Sequence, residues 1–325
     1  MAGGANRRWV RPLQVLASVA VIWALARDVD REALRQTLAR SSLAWLLAAL
    51  LVKGIGLTVH ELRLWMCLPR PRPHFWSVFR LGFIAGMMNL VLPARGGDLL
   101  AIALLNRECG VRPSAATAAV GLVAFLEAAV FGVFLCGVLV VGAARWVSVI
   151  GVEAQAQAVW LVGGVTSAGL LAVLALALLG RLEGLGGVSK RGPLRWIRDT
   201  ANDAGAVLAT PSAVLTHLGL AAAGVGFTLA GFALALPAVG LDLPLPWLAA
   251  AGVLALSSVA AVVLPPTFAA GPAAVSVGVL AVFGVSRTDA LAYSVAYWLV
   301  AHAPAVAIGL PLLWGHKGLA ETQAP

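Results

Sequence analysis

The chain has 325 residues, of which 61% are hydrophobic and only 11% are charged, and its formal net charge is +9. Soluble domains contain about 45–50% apolar and about 25% charged residues, so this composition excludes a soluble protein and predicts a polytopic membrane protein. The basic residues lie at the ends of apolar segments and in one loop, which favours membrane orientation and anionic lipid over nucleic acid as the reason for the charge.

Apolar segments follow one another along nearly the whole chain and predict a single membrane domain over residues 1–325. The first, 9–26, follows Arg7, Arg8 and Arg11. It is either a cleaved signal peptide or a retained helix, and we favour retention because many helices follow. The remaining predicted segments, in chain order, are 43–66, 75–93, 99–105, 113–142, 156–180, 213–239, 247–264, 272–284 and 289–314.

Two of these segments are interrupted. The stretch NLVLPARGGDLL, residues 89–100, places Pro93 and Gly96-Gly97 beside two charges, and Pro265-Pro266 with Gly271 interrupts the second. Backbone in hydrocarbon must satisfy its hydrogen bonds internally, so broken helices with charges survive only inside protein or along a wet cavity. We therefore predict two re-entrant helical hairpins, over 75–105 and 247–284.

The distribution of basic residues predicts the topology. The N-terminal arginines, the loop 67–74, the interval 181–212 and the C-terminus would all be cytoplasmic by the positive-inside rule. That parity holds if both hairpins leave by the face they enter. It yields a first half, 43–142, and a second half, 213–314, of inverted topology, joined by a helix over 156–180 and by the interval 181–212. This interval is either a loop with an amphipathic helix on the cytoplasmic surface or a solvated connector.

A weak internal repeat supports the two halves. Val91-Leu92-Pro93 recurs as Val263-Leu264-Pro265, and Gly110-Val111 recurs as Gly284-Val285. Inverted repeats with broken helices at corresponding positions are typical of transporters with a site near the membrane midplane. The expected location is a bacterial-type cytoplasmic (inner) membrane.

The first break offers the main candidate for substrate binding, Arg95. A guanidinium matches phosphate oxygens bidentately, so Arg95 either binds a lipid phosphate or forms a structural pair with Asp98. Asp98 would cap the second half-helix. Asn89 would satisfy backbone groups that the break frees.

Other ionisable residues lie within the apolar helices. Lys53, His60 and Glu61 share one stripe of helix 43–66, and Glu127 lies near the middle of 113–142. A Lys53–Glu127 pair is either purely structural or part of substrate or proton handling. His302 is either a hydrogen-bonded core residue or a proton or ligand site. We expect Arg63 to be an anchor that snorkels to the membrane surface, and His217 to lie at the membrane interface.

Signatures of enzymes are missing from the sequence. It contains no Walker loop, no paired metal-ligand cluster and no G-x-S-x-G motif, so we expect no enzymatic activity, no metal and no cofactor. Its three cysteines have no disulfide or metal spacing.

At residues 89–100 the pattern resembles the flippase-like family related to the membrane domain of lysylphosphatidylglycerol synthetases. Asn89, Leu92-Pro93, Arg95 and Gly97 match the family motif, and Asp98 replaces its Glu. Ala101 stands where a second Arg is usual, and the second break keeps its prolines and Gly271 but lacks the family's Glu. The resemblance implies an inverted-repeat helical membrane fold and movement of anionic or polyprenyl-linked lipids between leaflets.

The expected function is therefore that of a flippase-like lipid translocator. The alternatives are an integral-membrane enzyme and a scaffold in lipid or glycolipid synthesis. The expected partners are a phospholipid or polyprenyl-phosphate lipid and the bilayer, with no nucleic acid. A homo-oligomer remains an open alternative.

Overall fold

The computed structural model describes residues 31–90, 96–142, 193–263 and 270–314, with scattered positions between 153 and 171. No β-strand occurs among these residues, which confirms the all-α prediction. The helices with continuous bounds are, in chain order, α1 (Arg31–Ala39), α2 (Leu43–Cys67), α3 (Phe75–Met88), α4 (Gly96–Cys109), α5 (Pro113–Val141), α6 (Pro193–Val207), α7 (Pro211–Ala238), α8 (Pro246–Val263), α9 (Ala270–Ala281) and α10 (Arg287–Trp314).

Four helices are long and apolar enough to cross a membrane. They are α2, α5, α7 and α10, with 25, 29, 28 and 28 residues. At 1.5 Å per residue they extend for about 37–44 Å, more than the roughly 30 Å of hydrocarbon in a bilayer. Each encloses its backbone hydrogen bonds within one segment, as hydrocarbon requires. The chain is thus a multi-pass membrane protein.

Two pairs of shorter helices match the predicted hairpins. α3 packs against α4, and α8 packs against α9. The connecting residues, 91–95 and 264–269, lie outside the described part of the chain, and with them Pro93, Arg95, Pro265 and Pro266. That both hairpins are re-entrant, and that the halves have inverted topology, stays a prediction.

The two halves share an order of elements: a long helix, a helix pair and another long helix. The repeated Gly-Val dipeptides occupy the same position in each half, between the helix pair and the next long helix. Gly110 and Gly284 both have positive φ, 65° and 76°. The amides of Val111 and Val285 then bond back to the carbonyls of Leu105 and Leu280, at 3.2 and 3.1 Å. Each glycine therefore ends its helix in a left-handed turn that other residues rarely adopt.

The described residues fall into two compact units. Unit 1 is drawn from Met1–Lys53, Gly137–Ala156 and Thr228–Ala303, and unit 2 from Gly54–Cys136, Gln157–Phe227 and Pro304–Pro325. The pair α8–α9 belongs to unit 1. The pair α3–α4 belongs to unit 2, whose apolar core includes the buried residues Leu64, Leu81, Ile84, Leu105 and Leu126.

Two shorter helices complete the described chain. α1 lies between the predicted segments 9–26 and 43–66, and Thr37 Oγ1 donates to Asp289 Oδ1 at 3.4 Å in unit 1. α6 lies within the interval 181–212, and its Trp196 and Ile197 are exposed. The predicted first helix, 9–26, lies outside the described residues, and the segment 156–180 is described only at scattered helical positions.

Gly97 determines how closely α3 and α4 approach each other. A Cβ at this position would overlap the carbonyl oxygen of Ala85 and come within 2.6 Å of Asn89 Oδ1. Nothing lies within 4 Å of a Cβ built at Gly86, on the exposed side of α3. The hairpin therefore needs a glycine at Gly97, whereas Gly86 has room for a side chain.

We expect Gly97→Ala to destabilise the protein by about 1–3 kcal/mol, because the backbone of α3 must move away from the added methyl group. Gly86→Ala is the matched control on the same hairpin, and it should be neutral or stabilising by up to about 1 kcal/mol. The measurement is the thermal unfolding midpoint of each purified variant in detergent. Equal midpoints for both variants would contradict the close approach.

Candidate functional site

A charged cluster joins α2 to α5 within unit 2. Arg63 on α2 is only 1% exposed. Its Nη2 donates to the carbonyl of Val123 at 3.1 Å, and its Nη1 lies 3.6 Å from Glu127 Oε2. The same carboxylate oxygen lies 3.0 Å from His60 Nδ1. An ionised carboxylate only accepts hydrogen bonds, so the imidazole N–H donates to it.

The cluster is open on the side of His60 and Glu127. Their side chains are 35% and 43% exposed, although Glu127 lies at the middle of α5. Carboxylates at membrane depth face the bundle interior or a water-filled cavity, because lipid cannot solvate them. This surface is therefore a polar opening in an otherwise apolar helix, and we call His60, Glu61, Arg63 and Glu127 the charged cluster.

Glu61 faces a different neighbour from that of His60. It is 6% exposed, and its Oε2 is buried with no hydrogen-bond partner among the described residues. A Cβ at Gly82 would overlap its carboxyl group, so the absence of a side chain at Gly82 leaves the space that Glu61 occupies. The charged cluster therefore contacts the first half-helix, α3, as well as α5.

Polar side chains also join the two ends of the first break. Asn89 ends α3, and its Nδ2 donates to Asp98 Oδ1 in the first turn of α4 at 2.9 Å. Asn89 Oδ1 is buried and has no hydrogen-bond partner among the described residues. Gly96 and Gly97 open α4, and a helix N-terminus presents unpaired N–H groups and a positive dipole end.

A second polar site lies in unit 1, around Lys53. Its Nζ donates to Thr228 Oγ1 on α7 at 2.9 Å, and lies 6.0 Å from the centre of the Phe232 ring. A Cβ at Gly231 would lie 3.3 Å from that of Lys53, so α7 approaches α2 closely here. His302 on α10 interacts electrostatically with Lys53 and contacts the Trp298 ring edge to face, with centroids 5.2 Å apart.

A family comparison decides the broader identity of the chain. The model described as "Lysylphosphatidylglycerol synthase TM region" matches residues 12–309, which is most of the sequence. The chain belongs to this family. A comparison with curated proteins gives no significant match. The resemblance found at residues 89–100 is thereby confirmed, and the protein is a multi-pass member of a family named for lipid synthesis.

The structure describes most of the residues that the sequence predicts for the site. His60 and Glu127 form one contact, and Asn89 meets Asp98. Lys53 bonds to Thr228, whereas Glu61 packs at Gly82, so the predicted stripe on α2 serves three different neighbouring helices. A Lys53–Glu127 pair stays a prediction, as do the substrate-binding roles of all these residues. Gly271 is buried at the start of α9.

The interpretation of Arg63 as a snorkelling anchor was wrong. Arg63 does not reach toward the membrane surface as an anchor, because its guanidinium is buried against Val123 and Glu127. His217 is 4% exposed, and its Nδ1 lies 3.8 Å from Cys67 Sγ. The spacing of Arg63, three residues after His60 on one helix, was a signal that it shares a face with the cluster.

The side chains of the cluster are not arranged as a metal site. Among the described residues, no group of three or more His, Cys, Asp or Glu side chains is placed to hold a metal ion. Its chemistry is that of hydrogen bonding and charge compensation: one buried guanidinium, one imidazole, and two carboxyl groups of which one is open.

We expect Arg63→Gln to lower the free energy of unfolding by about 2–4 kcal/mol, because it removes a buried charged donor from Val123 and Glu127. The control is Arg112→Gln, since Arg112 is 67% exposed in its ion pair with Asp203. Exposed pairs contribute about 0–1 kcal/mol. Equilibrium unfolding in mixed detergent micelles measures both. An equal loss of unfolding free energy in the two variants would show that the buried contacts of Arg63 do not stabilise the fold.

Proposed function

We propose that this protein moves an anionic phospholipid or a polyprenyl-phosphate lipid between the leaflets of the cytoplasmic (inner) membrane. The observation that carries the proposal is the partial exposure of His60 and Glu127 within membrane-length helices, with Glu127 at the middle of its helix. A polar surface at that depth gives a lipid headgroup partners where hydrocarbon offers none. The acyl chains would remain in the surrounding lipid while the headgroup passes.

The first break supplies the complementary part of the proposed route. α4 begins at Gly96, so its N-terminal amides and Arg95 in the preceding segment are suited to a phosphate. Broken helices whose half-helix N-termini face anionic groups are a recurring device in membrane transporters. We therefore assign the lipid phosphate to Arg95 and the start of α4.

The charged cluster would receive the rest of the headgroup. Glu127 accepts hydrogen bonds from hydroxyl or ammonium groups, and His60 both donates and accepts. Arg63 is too buried to contact a substrate, and its proposed part is to hold the Glu127 carboxylate in place. Lys53 and His302 in unit 1 stay predicted substrate contacts.

The proposal assigns no chemical reaction to the protein. The family name refers to lysylphosphatidylglycerol synthesis, and we do not transfer that activity to this chain. Binding a headgroup in a polar site and releasing it on the other side requires no nucleophile, metal or cofactor. Mass action or an ion gradient would supply the driving force.

Glu127→Gln should slow the translocation of fluorescent phosphatidylglycerol in proteoliposomes about tenfold, as expected if about 1.4 kcal/mol of headgroup stabilisation is lost. The assay measures how fast label in the outer leaflet becomes inaccessible to a membrane-impermeant quencher. Glu32→Gln is the matched control, because Glu32 lies in an exposed ion pair with Arg35 on α1.

Unchanged translocation by Glu127→Gln would contradict the role of the charged cluster. If wild-type protein converts a lipid to a product without moving it, the enzyme alternative replaces the proposal. If substitutions at Lys53, Arg95 and Glu127 are all tolerated in lipid synthesis by cells, the scaffold alternative replaces it.

Arg95→Ala should abolish translocation in the same assay while leaving membrane insertion intact, because the phosphate loses the guanidinium that pairs with it in the proposed site. Arg95→Lys should retain partial activity, since a lysine keeps the charge but not the bidentate geometry. Equal rates for wild type and Arg95→Ala would remove Arg95 from the phosphate site.

A further inference from the structure

A cavity of about 650 Å³ lies in unit 2, and none of the residues of the charged cluster lines it. It is enclosed by the end of α2 with the loop that follows, the end of α6, and the start of α7. Ligand pockets in proteins commonly measure about 300–1,000 Å³, so this one is large enough for a lipid headgroup or a small phosphate ester. The loop is one that the positive-inside rule assigns to the cytoplasm.

Arg70 and Arg72 supply the positive charge of this cavity. Arg72 is held in place: its Nη2 donates to the carbonyl of Met66 at 2.9 Å, and its guanidinium lies 5.0 Å from the centre of the Trp65 ring. Trp65 is fixed in turn by a 2.9 Å bond to the carbonyl of Pro73. Arg72 Nε has no hydrogen-bond partner among the described residues. Arg70 is exposed and makes no ion pair within the described chain.

The opposite wall of the cavity is formed by the start of α7, a helix of 28 residues. Thr210 caps it, accepting a 3.2 Å bond from the amide of Ala213. Ser212 and Thr216 add two more hydroxyl groups to the lining, and the buried imidazole of His217 lies one turn further along. Hydroxyls, a helix N-terminus and arginines are all groups that bind phosphate oxygens.

One acidic residue, Asp203, also lines the cavity, but its carboxylate is already engaged. Oδ1 accepts from Arg112 Nη2 at 3.0 Å, and Oδ2 accepts from Ser114 Oγ at 2.9 Å. This pairing attaches α6 to the start of α5. The charge that remains for a ligand is therefore that of Arg70 and Arg72, opposite the positive end of the α7 dipole.

We propose that the cavity between Arg70, Arg72 and the start of α7 binds a phosphate-bearing polar group. The group is carried either by a lipid headgroup or by a soluble phosphate ester. The proposal does not rest on lipid translocation, because it concerns equilibrium binding at residues that the translocation site does not include. A headgroup held here would lie at the membrane surface and keep its acyl chains in the leaflet.

The test is isothermal titration of the purified full-length protein in an uncharged detergent. The probes are inorganic phosphate, glycerol phosphate and dihexanoyl phosphatidylglycerol. We expect the Arg70→Gln/Arg72→Gln double variant to bind the best probe at least about tenfold more weakly, because two charged donors are lost. Arg35→Gln is the control, since Arg35 is 81% exposed in unit 1.

A second variant locates the binding without changing the charge. Ala206 lines the cavity from the exposed side of α6, and Ala206→Trp would fill the space. It should weaken binding as strongly as the double variant. If the double variant fails to fold, Arg70→Gln and Ala206→Trp carry the test, because neither native side chain makes a hydrogen bond or ion pair within the described chain.

The outcomes separate the two sources of phosphate. Binding of dihexanoyl phosphatidylglycerol alone identifies a lipid site, whereas comparable binding of glycerol phosphate identifies a site for a soluble ester. No binding of any probe to wild type overturns the proposal, as does unchanged affinity in Ala206→Trp. If the cavity variants lose binding but still translocate lipid, the proposed function is unaffected. If Glu127→Gln loses translocation but still binds the probe, the cavity site is unaffected.

Discussion

The requirement that every backbone polar group find a partner inside hydrocarbon is the constraint on which this structure depends. Long helices such as α2 and α5 satisfy it without help. The helix pair α3–α4 is interrupted, and its two half-helices pack closely at Gly97 and share the side-chain hydrogen bond from Asn89 to Asp98. Both devices use small or polar residues where an apolar side chain would separate the helices. The same residues leave a half-helix N-terminus at the break, and this is the feature that the proposed phosphate site uses.

The same constraint explains the arrangement of charge in unit 2. A buried guanidinium is costly unless its donors are used, and Arg63 uses one on the Val123 carbonyl and another on Glu127. Glu127 also accepts from His60, so one carboxylate holds two cationic or dipolar partners. The inner side of this group packs the helices, and its outer side is open. The same ion pair therefore packs two helices together and provides a polar surface within the membrane.

Family membership supports the general role of the protein, and the described sites support the specific proposals. Membership of the lysylphosphatidylglycerol synthase transmembrane family establishes a membrane protein of a lipid-related family. The charged cluster, the broken hairpin and the cavity at Arg70 and Arg72 then supply the chemistry for a specific proposal. The charged cluster and the cavity each combine an arginine held by a backbone carbonyl with further hydrogen-bonding groups. That combination suits an amphipathic ligand with an anionic head.

The sequence by itself determined the membrane class, the four long helices, both helix pairs and the family, because length and hydropathy are local properties of the chain. The Gly-Val repeat supported two halves, and only the structure shows that both glycines, Gly110 and Gly284, form left-handed turns. The sequence did not determine which charges meet. Lys53, His60 and Glu61 look alike on a helical wheel, yet they contact α7, α5 and α3 respectively. Only the tertiary structure decides this, because a partner is set by which helix packs against each face and by the glycines that allow close approach. Burial of Arg63, instead of its extension to the surface, has the same origin.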